Sequence, residues 1–287
     1  MEPTREFDAS EYPSGCNSRH PDSVSENENL STYGHTSDKI KYMQLQGAVC
    51  VITGGSRGLG LCLAKELKVR GANVVVGDLE SDAMRATLKE LEAPGLHCDV
   101  TEQTHVEALA GEAIKHYGRI DIWVNNAGIW MPYGPVEQLD FKKARALMEV
   151  NYFGLAHGTV EALKHMRPQG SGIVVNMISV RGLEGKGLAA GYSASKFAAE
   201  GFTQAVRFET AGSGVSIVGV YPYRMKTGLF GENKHADYDS SMEPQEVAEI
   251  IIENLAQEDP AEHVEIWGSD DIRAKHIHPE PIDHKEK

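Results

Sequence analysis

From residue 47 onward the chain alternates two kinds of hydrophobic pattern. Short apolar, β-branched runs occur at AVCVIT (48–53), NVVVGD (73–78), LHCDV (96–100), IDIWVN (120–125), GIVVNMIS (172–179), VSIVGV (215–220) and HVEIW (263–267). Most are apolar at consecutive positions rather than at every second one. A strand covered on both faces can be apolar throughout, whereas a strand with one wet face alternates. Between these runs, residues 58–70, 82–91, 102–117, 140–167, 191–212 and 244–257 carry the three-to-four-residue spacing of amphipathic helices. Strand and helix in turn predict an α/β, doubly wound, three-layer fold around a central, mostly parallel seven-stranded sheet. Nothing divides residues 42–268, which read as a single domain.

The flanks lack both patterns. Residues 1–41 are rich in Ser, Glu, Asp, Asn, Pro and Thr, with acidic side chains outnumbering basic ones. Such a segment cannot bury enough apolar surface to offset its ordering entropy, so a disordered acidic and polar tail is expected. Residues 269–287 read as a second flexible tail. His276, His278 and His284 there read as incidental, since a metal site needs a fixed second shell, and no metal is expected. The net charge of −14 argues against nucleic acid or an anionic membrane as partner. No apolar run reaches the roughly 20 residues of a membrane span. The first residues lack the basic start and apolar core of a secretory signal. Cys16, Cys50, Cys62 and Cys98 have no metal-ligand spacing, and the last three lie in apolar or glycine-rich segments that suit reduced thiols. A cytoplasmic protein is expected.

The first strand runs into Thr53-Gly-Gly-Ser-Arg-Gly-Leu-Gly60 and then into a helix. Glycines without β-carbons allow a tight turn and close approach of the backbone to a pyrophosphate. The helix start offers unpaired N–H groups and a positive dipole end. Gly54, Ser56, Arg57, Gly58, Leu59 and Gly60 are therefore candidate dinucleotide-binding residues. Asp78 ends the second strand about 20 residues farther on, where a carboxylate can accept the adenosine ribose hydroxyls and repel a 2′-phosphate. NAD(H) is favoured on that ground. Arg57 inside the loop is the counter-signal and keeps NADP(H) as the alternative.

Tyr192-Ser-Ala-Ser-Lys196 puts a phenol and an ammonium one helical turn apart, on one face. A charge about 5 Å from a phenolic oxygen, at an effective dielectric near 20, is worth roughly 3 kcal/mol. That is about two pKa units, enough to bring a tyrosine from about 10 toward neutrality as a proton donor and acceptor.

These residues together give the chain a resemblance to the short-chain dehydrogenase/reductase family over about residues 47–267. Its motifs occur in family order: TGGSRGLG at 53–60, Asp99-Val100, NNAG at 125–128, Asn151, Ser179, YSASK at 192–196, and Pro222 with Thr227. The resemblance implies a Rossmann-type fold and hydride transfer between a nicotinamide cofactor and a carbonyl or secondary alcohol. It implies Tyr192 as general acid and base, with Lys196 lowering its pKa and binding the nicotinamide ribose. Ser179 would hydrogen-bond the substrate oxygen, and Asn151 would hold a water linking Lys196 to solvent. Asn125, Asn126, Ala127 and Gly128 would support the sheet and line the cofactor cleft. Asp99 and Val100 would meet the adenine, and Pro222 and Thr227 the nicotinamide end. One departure stands out: the family's usual Pro-Gly after the sixth strand is Pro222-Tyr223 here, so either the turn is reshaped or a phenol narrows the pocket.

Substrate-lining candidates come from the loops after strands four to six: Trp130, Met131 and Tyr133; Arg181, Leu183 and Leu188; Tyr223, Met225, Leu229 and Phe230. The set is more apolar than charged and favours a hydrophobic or alicyclic small molecule. Residues 223–242 read as a lid. Apolar positions on more than one face of the helices at 140–167 and 191–212 predict a homodimer or homotetramer, since relatives pair through these helices. The competing readings are a cofactor-sensing binding protein without turnover, and an amino-terminal tail that recruits a partner.

Overall fold

The computed structural model describes residues 44–231, 238–268 and 273–277, the last by backbone alone. The tail predicted over residues 1–41 lies outside the described residues. In chain order the elements are β1 (Val49–Thr53), α1 (Gly58–Val69), β2 (Asn73–Asp78), α2 (Asp82–Leu91), β3 (Gly95–His97), α3 (Gln103–Tyr117) and β4 (Ile122–Asn125). There follow α4 (Phe141–Met148), α5 (Leu155–Gln169), β5 (Gly172–Met177), α6 (Ala190–Thr210), β6 (Val215–Pro222), α7 (Pro244–Leu255), β7 (His263–Trp267) and β8 (Arg273–Ile277).

Seven strands run parallel in the order β3-β2-β1-β4-β5-β6-β7, as the apolar pattern predicts. Alternate side chains of each strand feed two cores. Cys50, Ile52, Val74, Val76, Ile122 and Val124 face one layer, where Leu59, Leu63 and Leu67 of α1 and Val247 and Ile251 of α7 cover them. Val49, Val51, Val75 and Trp123 face the other, against Val106 and Leu109 of α3, Ala162 and Met166 of α5 and Val206 of α6.

Three features differ from the sequence expectation. The third strand is three residues long, not five. Asp99 Oδ1 accepts the Thr101 N–H (3.0 Å) and hydroxyl (2.8 Å), which turns the chain away from the sheet edge. The helix expected over 140–167 is interrupted by a π-helical turn, Glu149–Gly154, between α4 and α5. The stretch expected as a flexible tail contributes β8, which pairs antiparallel with β7. His276 belongs to β8, while its side chain and those of His278 and His284 lie outside the described residues.

The crossover from β3 through α3 to β4, on the far side of β1, reverses the direction in which strands are added, so a crevice opens at the carboxyl ends of β1 and β4. A buried amide network fixes what stands around it. Asn125 Nδ2 donates to Asn176 Oδ1 (2.8 Å) and Thr159 Oγ1 (3.0 Å), and Asn125 Oδ1 accepts the Trp123 indole N–H (2.8 Å). Asn176 Nδ2 donates in turn to Thr203 Oγ1 (3.0 Å). These bonds tie α5 and α6 to β4 and β5.

Gly158 of α5 lies against this network: a β-carbon there would collide with Asn125 Oδ1 and stand 2.6 Å from the Trp123 indole nitrogen. Gly158→Ala is expected to cost about 2–3 kcal/mol by overpacking. Gly111→Ala, on the open face of α3 with nothing within 4 Å, should stabilise by about 0.5–1 kcal/mol. Urea denaturation of both variants checks this, and equal effects would refute the packing assignment.

Candidate active site

The crevice is a cleft of about 400 Å³ that runs from the glycine loop to the turn after β6. At one end, Gly54 and Gly58 have φ of 64° and 54°, a left-handed conformation that side chains resist. A β-carbon on Gly54 would stand 2.8 Å from Ala127 Cα, so the loop after β1 touches the loop after β4. Asn126 laces the two, its Nδ2 donating to Gly54 O (2.8 Å) and Thr53 O (3.1 Å). Gly60 packs beneath Gly54 O and Asn126 Nδ2 with no room for a side chain. Leu59, Asp99, Val100, Ala127 and Gly128 line the same end.

Asp78 is buried at the end of β2 and lines the cleft. Its Oδ2 accepts the Ser56 N–H (2.9 Å) and hydroxyl (2.6 Å), and its Oδ1 accepts the Leu79 N–H (2.8 Å). Ser56 thus fixes the acidic side chain and does not itself line the cleft. Arg57 is exposed at the cleft wall, with no ion pair among the described residues. Thr227 closes over the loop: a β-carbon on Gly58 would lie 3.4 Å from Thr227 Cβ.

Ser179, Tyr192 and Lys196 meet at the other end. Ser179 sits at φ 152°, ψ 156°, a region essentially reserved for glycine and costing on the order of 1–3 kcal/mol elsewhere. Its hydroxyl donates to Pro222 O (3.3 Å) and accepts the Arg181 N–H (3.2 Å). Asn151, in the π-helical turn, accepts the Ile129 N–H on Oδ1 (2.9 Å). Its Nδ2 donates to Ile129 O (3.0 Å) and Ser195 Oγ (3.1 Å). Between Asn151 and Lys196 stands Gly128, whose added β-carbon would be 3.3 Å from Asn151 Oδ1 and 3.9 Å from Lys196 Nζ.

The acid–base pair departs from its expected electrostatics. Lys196 Nζ lies 5.9 Å from the Tyr192 ring centroid and donates to Met177 O (3.1 Å). Burial pushes the Lys196 ammonium down to about 8. Burial pushes the Tyr192 phenol up, to about 12, although part of its ring edges the open cleft. A hydrogen bond with Ser179 and the Arg181 charge pull it back only in part. The expected drop toward neutrality is thus not a property of the pair alone: desolvation dominates the Tyr192 shift. The phenol is held in its protonated form at neutral pH.

Of the expected substrate residues, Trp130, Tyr133, Arg181, Tyr223, Met225, Leu229 and Phe230 line the cleft. Met131, Leu183 and Leu188 do not. Met131 sulfur faces Gly191, Leu183 packs against a small core cluster, and Leu188 is 60% exposed at φ 65°. Tyr223 takes glycine's place without a positive φ, and its ring stacks on Trp267 (5.6 Å). Its phenol side chain narrows the cleft and the turn is not strained. Sequence reasoning missed Leu79, Ile129, Val150, Ile178, Val180 and Arg224, which have no motif of their own and enter the cleft only through the fold. Cys98 also lines it, its thiol pushed up to about 12 by burial and by Asp99 and Asp78. Such a thiol is inert at neutral pH.

The expected lid is partly described. Lys226 N donates to Met242 O (2.9 Å) and Met242 N to Arg224 O (3.1 Å), closing its stem. Phe230 packs on Trp130 (5.1 Å), and residues 232–237 lie outside the described residues. No described helix is long and apolar enough to cross a membrane.

Comparison with known proteins agrees with this arrangement. The family model described as short chain dehydrogenase matches residues 48–237. The 3-alpha-(or 20-beta)-hydroxysteroid dehydrogenase of Mycobacterium tuberculosis is 30% identical over 215 residues, covering 73% of this chain and 82% of that one. The cis-4-hydroxycyclohexanecarboxylate dehydrogenase of Sinomonas cyclohexanicum is 34% identical over 217 residues, covering 71% and 87%. Among solved structures, 3-ketoacyl-(acyl-carrier-protein) reductase from Brucella melitensis, complexed with NADH, superposes with TM-score 0.69 at 25% identity, covering 74% and 92%.

The buried ammonium gives a stability signature. Between about 8 and the ordinary 10.5 the unfolded chain binds a proton that folded Lys196 does not, so this group makes stability rise with pH across that window. The wild-type stability minus that of Lys196→Met is expected to grow by about 3 kcal/mol from pH 7.5 to pH 10.5. Chemical denaturation at both pH values measures it; a difference that stays flat would sink the burial argument.

Proposed function

The chain belongs to the short-chain dehydrogenase/reductase family, and on that premise we propose that it moves a hydride between NAD(H) and a secondary alcohol or ketone, with Tyr192 as proton donor and acceptor. Residues 42–268 form the catalytic domain in this reading. The observation that carries it is the convergence of Ser179, Tyr192 and Lys196 at one end of a cleft whose other end holds a glycine loop and an acidic strand end.

The nicotinamide cofactor supplies the hydride when bound. Gly54, Arg57, Gly58, Leu59 and Gly60 would receive its pyrophosphate, and Asp78, fixed by Ser56, its adenosine ribose. Asp99 and Val100 would border the adenine. Asn126, Ala127, Gly128, Pro222 and Thr227 would border the nicotinamide half. Ser179 hydrogen-bonds the reacting oxygen and Tyr192 passes it the proton. Ser179 stands ready because its backbone is already in the required, unfavourable conformation. Lys196 binds the ribose and recharges Tyr192, and Asn151 holds a relay water in the space that Gly128 leaves open beside Lys196. Asp78 favours NAD(H) over NADP(H), with Arg57 the residue that would serve a 2′-phosphate.

Self-association in the cytoplasm as a dimer or tetramer is part of the proposal. Phe153 and Val160, in the π-helical turn and α5, and Phe197 and Phe208, on α6, leave large apolar side chains exposed. Light scattering should return a multiple of the 31.4 kDa chain, and a clean monomer would refute this.

Tyr192→Phe should lower kcat by about 1,000-fold, within the usual range for loss of a general acid. NADH binding, read by fluorescence titration, should stay within a fewfold of wild type. Unchanged turnover would overturn the assignment. The ratio of kcat/KM for NADH to that for NADPH should exceed one and fall in Asp78→Ala.

A further inference from the structure

The charges along the cleft are segregated. Among the described lining residues the only carboxylates are Asp78 and Asp99, both near the glycine loop. Their oxygens already accept bonds from Ser56 and Leu79, and from Thr101. The substrate end carries Arg181 and Arg224 instead, together with Lys196, which donates one N–H to Met177 O.

Arg224 stands against the Tyr223 ring, 5.3 Å from its centroid, and Arg181 is the cation nearest in chain to Ser179. It lies two residues after Ser179, in the turn Val180–Gly182, and its backbone N–H bonds the Ser179 hydroxyl. Its guanidinium carbon stands 5.6 Å from the Tyr223 ring centroid. The Tyr223 ring is in turn fixed by Trp267. Stacking on an aromatic face orients a guanidinium while leaving its in-plane N–H donors open. No described carboxylate pairs with it. The surroundings are apolar: Ile129, Val180, Leu229 and Phe230 line the same end. The Trp130 indole N–H, also at that end, is buried and has no hydrogen-bond partner among the described residues.

A neutral, apolar substrate would cover this guanidinium without giving it a partner, at the cost of desolvating a charge. A substrate bearing an anion would instead meet a preoriented planar fork suited to bidentate carboxylate binding. We propose that the substrate is a hydroxy or oxo acid whose carboxylate docks on Arg181 while its carbinol or carbonyl carbon faces Ser179 and Tyr192. This rests on the dehydrogenase reading above and narrows it to a substrate class. Arg181 is then the residue that sets specificity, and the same residue whose backbone holds Ser179 places the second anchor of the substrate.

The test compares 4-hydroxycyclohexanecarboxylate with its methyl ester, using NAD as oxidant, in wild type, Arg181→Met and Arg181→Lys. Wild type should favour the acid in kcat/KM by about 10- to 100-fold, the worth of a hydrogen bond to a charged group. In Arg181→Met the ratio should collapse toward one, mainly through KM, and Arg181→Lys should recover part of it. A wild-type ratio near one, or a ratio that survives in Arg181→Met, would overturn the proposal. Turnover of neutral cyclic alcohols alone would overturn it too, yet leave the dehydrogenase reading standing. If no alcohol or ketone is turned over with either cofactor, the dehydrogenase reading fails. Calorimetric titration of the acid and the ester into enzyme with NADH then decides the docking claim: equal binding rejects it, and a preference for the acid that vanishes in Arg181→Met supports it.

Discussion

Asn125 and Asn176 face each other across β4 and β5 with no water to fall back on, and the rest of the cleft inherits its geometry from that pair. A buried amide that loses its partner forfeits its full desolvation penalty, about 1–3 kcal/mol, so the register of the two strands has one acceptable value. Through Thr159 and Thr203 the same amides fix the rotation of α5 and α6. Those helices hold Asn151, just before α5, and Tyr192 and Lys196, near the start of α6. A polar network thus does what apolar packing alone does less sharply: it selects one arrangement from several of similar hydrophobic content.

On that frame the cleft concentrates groups the fold would otherwise avoid. Ser179 holds an unfavourable backbone, Lys196 is an ammonium inside the protein, and the Trp130 N–H lacks a partner among the described residues. Each is locally destabilising, and all lie within one cavity. Several helix starts outside the cleft obey simple rules: Ser81 and Asp140 cap α2 and α4, and Pro244 opens α7 with a Glu243–Glu246 capping box. Violations gathered in one place, against a background of obedience, are the physical mark of a working site.

Much of this was legible before any coordinates. Consecutive apolar residues announced the seven parallel strands, and the glycine loop, Asp78, Ser179 and the Tyr192/Lys196 pair fell where one cleft would need them. What escaped depended on three-dimensional context. β8 is a short polar segment that exists by pairing with β7, so its own sequence carries no apolar signature. The Tyr192 pKa was misjudged because helical spacing reports the distance to Lys196 and says nothing of burial. Met131 and Leu188 were misplaced because a loop's sequence does not say which side chains turn inward. The placing of the Arg181 guanidinium against the Tyr223 ring, itself stacked on Trp267, likewise depends on parts of the chain far apart in sequence.

The π-helical turn at Glu149–Gly154 has a consequence for how this chain can change. Such a turn is one residue more than a regular helix needs. Deleting a single residue there would let α4 and α5 fuse into one uninterrupted helix, with its hydrogen bonds restored to the ordinary spacing. One residue of an α-helix is a rotation of about 100°, so the deletion would swing the Asn151 amide away from Ile129 and Ser195. The shortest route to a more regular helix is therefore also a route to a protein whose Asn151 amide has left its partners.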